Sequence, residues 1–247
     1  MQELSGIVAL VGSTFLAAGL VKGVVGMGLP VVAMALLGLV MPPAEAASLM
    51  VVPTIVTNIW QLYAGPRFSA VARRFSTMMV AICAGMPLGI GLLLTGGAHA
   101  NVALGAVLVA YGAIGLIAPH FAIPNRAERW CSPLVGLVTG AVTGATGVGA
   151  VPLAPYLSSL DLDKEEMIQA LGLAFTVSML ALAVGLALEA RFHAAVAGGS
   201  LLALLPALAG MALGQRIRER MSPAAFRRWF FAGLFALGVY MVVRAFA

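Results

Sequence analysis

Hydrophobic residues run through the chain in long blocks, separated by short stretches that hold most of the charge. The first half has blocks at about 5–41, 46–65, 76–97 and 101–119, the second at about 132–160, 166–188, 194–214 and 224–246. The last three blocks of each half have the ~20-residue length that carries an α-helix across a bilayer. The first block of each half differs. Residues 5–41 are too long for one simple helix and are broken by Gly and Pro at 23–30. Residues 132–160 are broken at 144–152, with about a dozen residues on either side. Half-helices meeting at a glycine-rich tip satisfy both patterns, because irregular backbone at membrane depth has to be buried in protein or line a cavity.

The blocks repeat. Residues 19–28 read GLVKGVVGMG and residues 140–149 read GAVTGATGVG, so Gly19, Gly23, Gly26 and Gly28 fall on Gly140, Gly144, Gly147 and Gly149 at an offset of 121. Arg67-Phe68 matches Arg191-Phe192, and AGMPLG (84–89) matches AGMALG (209–214), a drift to 125 that short loop insertions produce. Self-similarity at this scale sets the organisation. Residues 1–125 and 126–247 are two copies of one unit within a single integral membrane domain.

Composition narrows the class. Hydrophobic residues make up 62% and charged residues 9%, with mean hydropathy +1.04. A soluble domain carries roughly 25% charged residues, so a cytosolic enzyme, a secreted domain and a disordered regulator are excluded. The net charge of +5 suits nucleic acid, but in so apolar a chain Lys and Arg mark cytoplasmic loops instead. If each broken block crosses once, the Lys and Arg outside the tip divide 7 to 6. If it enters and returns on one side, Arg67, Arg73, Arg74, Arg126, Arg129, Lys164, Arg216, Arg218, Arg220, Arg227 and Arg228 share a face, against Arg191 and Arg244. Eleven against two is the bias expected of cytoplasmic loops. Each half then makes three net crossings, the halves are inverted, and both termini lie outside the cytoplasm. The fold class expected is all-α: a polytopic membrane protein of two inverted repeats, each with a broken, re-entrant first helix and three transmembrane helices. Residues 1–20 carry only Glu3 as a charge, which argues against a cleaved signal peptide. Cys83 and Cys131 stand apart and imply no disulfide framework.

The tips are the first candidate for chemistry. Gly23, Gly26 and Gly28 reach φ > 0 cheaply, letting successive N–H groups turn inward, and the half-helix that follows adds its positive end, so the tip can hold an anion. Gly144, Gly147 and Gly149 form a second such tip, with hydroxyls from Thr143 and Thr146. The alternative is that these glycines only let helices approach, as Gly19-x-x-x-Gly23 and Gly136-x-x-x-Gly140 do. Lys22, at the edge of the first tip, is a functional-site hypothesis by its depth or a snorkelling lysine near an interface. On the next helix Thr54, Thr57, Asn58 and Gln61 make one polar stripe at helical spacing beside Pro53. The stripe serves a ligand or binds a neighbouring helix. Its counterparts are Phe175, Ser178, Met179 and Leu182, a mostly apolar wall suited to the body of a ligand with an anionic head. His99, His120 and His193 fall in loops and form no metal site, and no cofactor is implied. Asp161, Asp163, Glu165 and Glu166 read as a solvated helix cap, and Glu45 as a cap of the second helix. No intramembrane carboxylate stands out as a proton carrier, so the coupling ion stays open.

The twin runs G-x-x-x-G-x-x-G-x-G, each followed by a proline (Pro30, Pro152), with an AGM-x-LG segment in each half, resemble the TauE/SafE family of sulfite exporters, also called the toluenesulfonate uptake permease family. The resemblance covers nearly the whole chain. It implies a bacterial inner-membrane secondary transporter of sulfur-containing anions (sulfite, thiosulfate or organosulfonates), and it points to Gly23–Gly28 and Gly144–Gly149. The chain departs from it in its single-spaced glycines, Gly26-Met27-Gly28 and Gly147-Val148-Gly149, and in Lys22. Together these readings give a non-enzymatic secondary transporter that works by alternating access and binds its anion mid-membrane between the two tips. Lys22, Thr57, Asn58 and Gln61 complete the coordination, and Phe175 and Met179 pack on any organic tail. A passive anion channel fits the composition as well, whereas a membrane-embedded enzyme would need an acid–base constellation that is not evident. The partners expected are a small sulfur-containing anion and the lipid bilayer, not nucleic acid; a homodimer stays open.

Overall fold

The computed structural model describes residues 2–63, 67–117, 123–192, 194–218 and 223–246, which form helices, turns and loops with no strand. His120, His193 and Arg220 lie outside the described residues. The broken blocks resolve into a long helix, an irregular tip and a short helix. In the first half these are α1 (Gln2–Val25), the tip at 26–28 and α2 (Leu29–Leu37). The helices α3 (Pro43–Tyr63), α4 (Phe68–Arg74), α5 (Ser76–Thr95) and α6 (Gly97–Ile117) follow. The second half has α7 (Asn125–Thr146), its tip, α8 (Leu153–Ser158), α9 (Lys164–Leu188), α10 (Ala194–Arg218) and α11 (Pro223–Phe246).

Two half-helices per broken block were expected, and only the second arm is one. At the rise of an α-helix, α1 extends roughly 36 Å, more than a half-helix needs. Internal glycines keep their N–H, so Gly12, Gly19 and Gly23 do not interrupt the ladder. In α7 the charged residues 125–131 continue the helix instead of forming a loop. Among the described residues, six helices are long and apolar enough to cross a membrane, with windows at Val8–Val25, Ser76–Thr95, Gly97–Ile117, Glu165–Leu188, Val196–Arg218 and Arg228–Phe246. The chain is a multi-pass helical membrane protein. His99, expected in a loop, sits in the first turn of α6.

Glycines decide which helices meet. A Cβ on Gly19 would overlap the Ala207 carbonyl, one on Gly23 the Met211 carbonyl, and one on Gly210 the Leu16 carbonyl, so α1 runs parallel to α10 at backbone contact. The same occurs between α7 and α5. Gly136, Gly140 and Gly144 rest on the carbonyls of Met78, Ile82 and Met86, and Gly85 and Gly89 on those of Leu137 and Ala141. The two repeated motifs are therefore partners. The glycine run of each half packs on the AGM-x-LG segment of the other, the close approach small residues permit in lipid. In contrast α6 and α11 run antiparallel, Gly105 facing Gly238 and Gly112 facing Phe231 and Phe235.

Hydrogen bonds fasten α3 between α9 and α10. Pro53 cannot donate to the Leu49 carbonyl one turn back. Ser200 of α10 fills the gap, donating to Leu49 O at 2.7 Å and accepting from Val52 N at 3.0 Å. Leaving such a buried carbonyl unmatched would cost about 1–3 kcal/mol. At the other end of α3, the buried Gln169 of α9 donates to Leu62 O at 3.0 Å. Asp163 caps α9, accepting from Glu166 N at 2.8 Å, as its acidic cluster predicts. Glu45 lies in the first turn of α3, at the positive end of its dipole.

Candidate functional site

The first tip forms because α1 stops at a residue that turns left-handed. Gly26 has φ 86° and Gly28 φ 105°, with Gly28 the N-cap of α2 and Pro30 in its first turn. Neighbouring helices hold it. Gln61 Nε2 of α3 donates to Gly26 O at 2.8 Å, and the Tyr111 hydroxyl of α6 meets Met27 Sδ at 3.2 Å. Lys22, in the last turn of α1, is only 5% exposed. Its Nζ donates to Asn58 Oδ1, its one hydrogen-bond partner among the described residues. It is buried, not snorkelling.

The second tip is held by its own helix. Gly147 turns left-handed at φ 73° and donates to Thr143 O at 2.7 Å. Thr143 Oγ1 donates to Thr139 O and Thr146 Oγ1 to Val142 O, both at 2.7 Å, and Val148 N donates to Thr146 Oγ1 at 3.2 Å. Gly149 lies against Thr143 Oγ1, and Gly147 against the side chains of Met34 and Met50.

These contacts put the tips at different depths. Gln61 touches the first tip and Met50 the second, from positions well separated along α3. At the rise of an α-helix that separation is roughly 16 Å. The two tips thus meet α3 at separate positions, through the side chains of Gln61 and Met50. Between these levels lie buried polar atoms with no hydrogen-bond partner among the described residues: Thr54 Oγ1, Asn58 Nδ2, Thr139 Oγ1 and Ser178 Oγ. Thr54 is one turn from Asn58 on α3. Ser178 lies less than two turns along α9 from Gly172, which packs on the Asn58 backbone. Thr139 lies about two turns before Gly147 on α7. Buried polar groups are nearly always paired, so these unpaired hydroxyls and the amide, spread between the two levels, stand out among the described residues.

The predicted residues separate accordingly. Lys22, Asn58, Gln61, Gly26 and Gly28 come together. Gly23 and Gly144 face the backbones of α10 and α5 and serve helix contact. Thr57 Oγ1 donates to Pro53 O at 2.7 Å, so its hydrogen belongs to its own helix. Phe175 and Met179 are buried on α9 with Ser178. Thr139 was not singled out, and its only signal is its place one turn before Thr143. No group of metal-binding side chains forms among the described residues.

Ion pairs gather elsewhere, where the basic helix ends meet. Arg74 clasps Glu128 at 2.7 and 2.8 Å, and Arg67 reaches Glu166 at 2.6 Å and Asp163 at 3.2 Å. The hydrogen bonds to Glu128 and Glu166 raise both guanidinium groups above their ordinary value. Two cavities lie away from Lys22. One of about 380 Å³ is lined by Gly38, Asn101 and Arg244, and an apolar groove of about 540 Å³ runs between α5 and α9.

The family model described as "Sulfite exporter TauE/SafE" matches residues 11–241, from α1 through α11. The chain belongs to the TauE/SafE family. No curated protein and no solved structure matches it. The family is one of membrane transporters for sulfur-containing anions, and the match covers both tips, Lys22 and the α3 stripe of this TauE/SafE chain.

Proposed function

We propose that this TauE/SafE protein is a secondary transporter of sulfur oxyanions, sulfite, thiosulfate or an organosulfonate. The anion binds at Lys22 Nζ and Asn58 Nδ2, with the first tip and Gln61 beside it, and the hydroxyls of Thr54, Ser178 and Thr139 along its path. One observation carries the reading. Lys22 is a buried amine whose described partner is a neutral amide, among side chains whose donors are unpaired. An ammonium at this depth costs several kcal/mol without a counter-charge, and an oxyanion supplies the charge and the acceptors together. Phe175 and Met179 are the apolar wall for an organic tail. The second tip, with Thr143, Thr146, Gly147 and Gly149, closes the far end of the path.

Alternating access follows from two halves inverted in the membrane plane. That arrangement is supported by the antiparallel packing of the counterparts α6 and α11 and by the basic residues collected at one set of helix ends. The family resemblance implies the bacterial inner membrane as location, and the basic residues at one set of helix ends put both termini outside the cytoplasm. The test is calorimetry on purified protein with sulfite, thiosulfate and methanesulfonate. Lys22→Ala is expected to abolish binding while the protein stays folded, and unchanged affinity would reject the site. Saturable counterflow in liposomes is expected, whereas flux far above ~10⁴ per second, too fast for microsecond-to-millisecond domain motions, would mean a channel.

A further inference from the structure

We infer that Lys22 is the coupling group: it takes up one proton with each anion it binds and gives it up when the anion leaves, so transport is proton-coupled. This rests on the anion site proposed above. Lys22 is the one buried side chain among the described residues that can carry a positive charge; the other buried polar groups are Ser, Thr, Asn, Gln and the phenols of Tyr111 and Tyr156. Among the described residues no carboxylate pairs with it.

Among the described residues, the elements packed on α1 bring no charge to Nζ. In α10, Arg216 and Arg218 are exposed at the last turn; α2 has no ionisable residue; in α11, Arg228 and Arg244 are exposed. In α3, which holds Nζ through Asn58, the acidic Glu45 is exposed at the opposite end. The Tyr111 hydroxyl of α6 is engaged with Met27 Sδ.

A buried ion without a partner is expensive, while a paired one is tolerated. The neutral amine donates to Asn58 Oδ1 as well as the ammonium does, so the empty site needs no charge. An arriving anion changes this, because it is the missing counter-ion. Proton and anion then load together, and the cycle balances. The amine gains one proton and one anion on the loading side, and both depart on the other. A monovalent sulfonate carries no net charge across with its proton. Divalent thiosulfate carries one negative charge per turn.

The test is calorimetry of anion binding to the purified full-length protein in Tris and in triethanolamine, buffers without sulfonate whose ionisation heats differ. Thiosulfate and methanesulfonate are the probes, since neither titrates between about pH 6 and 9. The difference in heat counts protons. The wild type is expected to take up about one proton per anion at the alkaline end and fewer as pH falls, its affinity weakening about tenfold per pH unit while the amine is neutral. Lys22→Arg, whose guanidinium keeps its proton, is expected to bind with no uptake and a flat pH dependence. Binding by the wild type with no uptake at any pH would overturn the coupling, and if Lys22→Gln then loses binding the anion site itself survives. Full binding by Lys22→Gln, or failure of both probes to bind the wild type, would overturn the site and the coupling with it. The wild-type measurement decides the matter even where a variant fails to fold.

Discussion

The position before the second glycine of each tip motif is Lys22 in one half and Thr143 in the other, and the two side chains meet their hydrogen-bonding needs in opposite directions. Thr143 is short and β-branched and donates to Thr139 O on its own helix at 2.7 Å. Lysine cannot reach back that way, so Lys22 extends to Asn58 on α3. The contrast extends through both tips. The second is capped by Thr146 from within α7, the first by Gln61 from another helix. A repeated glycine pattern breaks both helices; what the break is used for depends on whether the adjoining polar groups satisfy themselves or reach out to a neighbour. The self-satisfied tip is a structural stop. The first tip is tied to α3 through Gln61.

The bluntest way to probe this comparison is to attack what the tips share. Gly140→Val drives a side chain into the Ile82 carbonyl. Overpacking at a backbone contact is expected to cost about 3 kcal/mol or more, read as loss of the monodisperse folded peak in detergent. Gly19→Val at α10 should do the same, and a mild effect at either would separate the two interfaces. Next, Asn58→Leu strands Lys22 without its partner. A loss of about 1–3 kcal/mol is expected, with weakened anion affinity, whereas Thr146→Val in the self-capped tip should cost stability alone. Equal effects on binding would erase the distinction.

The last glycine of each tip motif is needed for a different reason. Gly28→Ala must hold φ 105°. That is a backbone strain of roughly 1–2 kcal/mol, which trimming neighbours cannot relieve. Gly149 is not left-handed, and its Cβ would stand 2.5 Å from Thr143 Oγ1, so Thr143→Ala should rescue Gly149→Ala in a thermal-melt double-mutant cycle. The smallest effect is expected from Arg74→Gln. Its clasp on Glu128 is part-exposed, worth ~0.2–1 kcal/mol, and should fade in high salt.

The eight hydrophobic blocks and the two breaks were legible because lipid leaves little choice: apolar length sets the spans, and glycine permits the turns. Lys22 was legible for the same reason, since a charge inside an apolar run has few explanations. The failures came where a residue's role depends on what lies opposite. Gly23 and Gly144 belong to the same motif as Gly26 and Gly147, yet they face helix backbones. Thr57 matched the polar stripe as well as Thr54 did, but its hydroxyl is taken by Pro53 O. Thr139 gave almost no signal, because an unpaired hydroxyl is defined by the neighbours it lacks.

The amino-acid pattern alone determined that this chain lives in a membrane and where its first hydrophobic block in each half is broken by glycine, since these depend on hydrophobicity and local backbone freedom. Only the tertiary structure decided that each glycine run packs on the opposite half's AGM-x-LG segment, that the tips sit at separate depths along α3, and that Lys22 meets Asn58. Those are relations between helices distant in sequence, and no local periodicity encodes the register at which two helices pack.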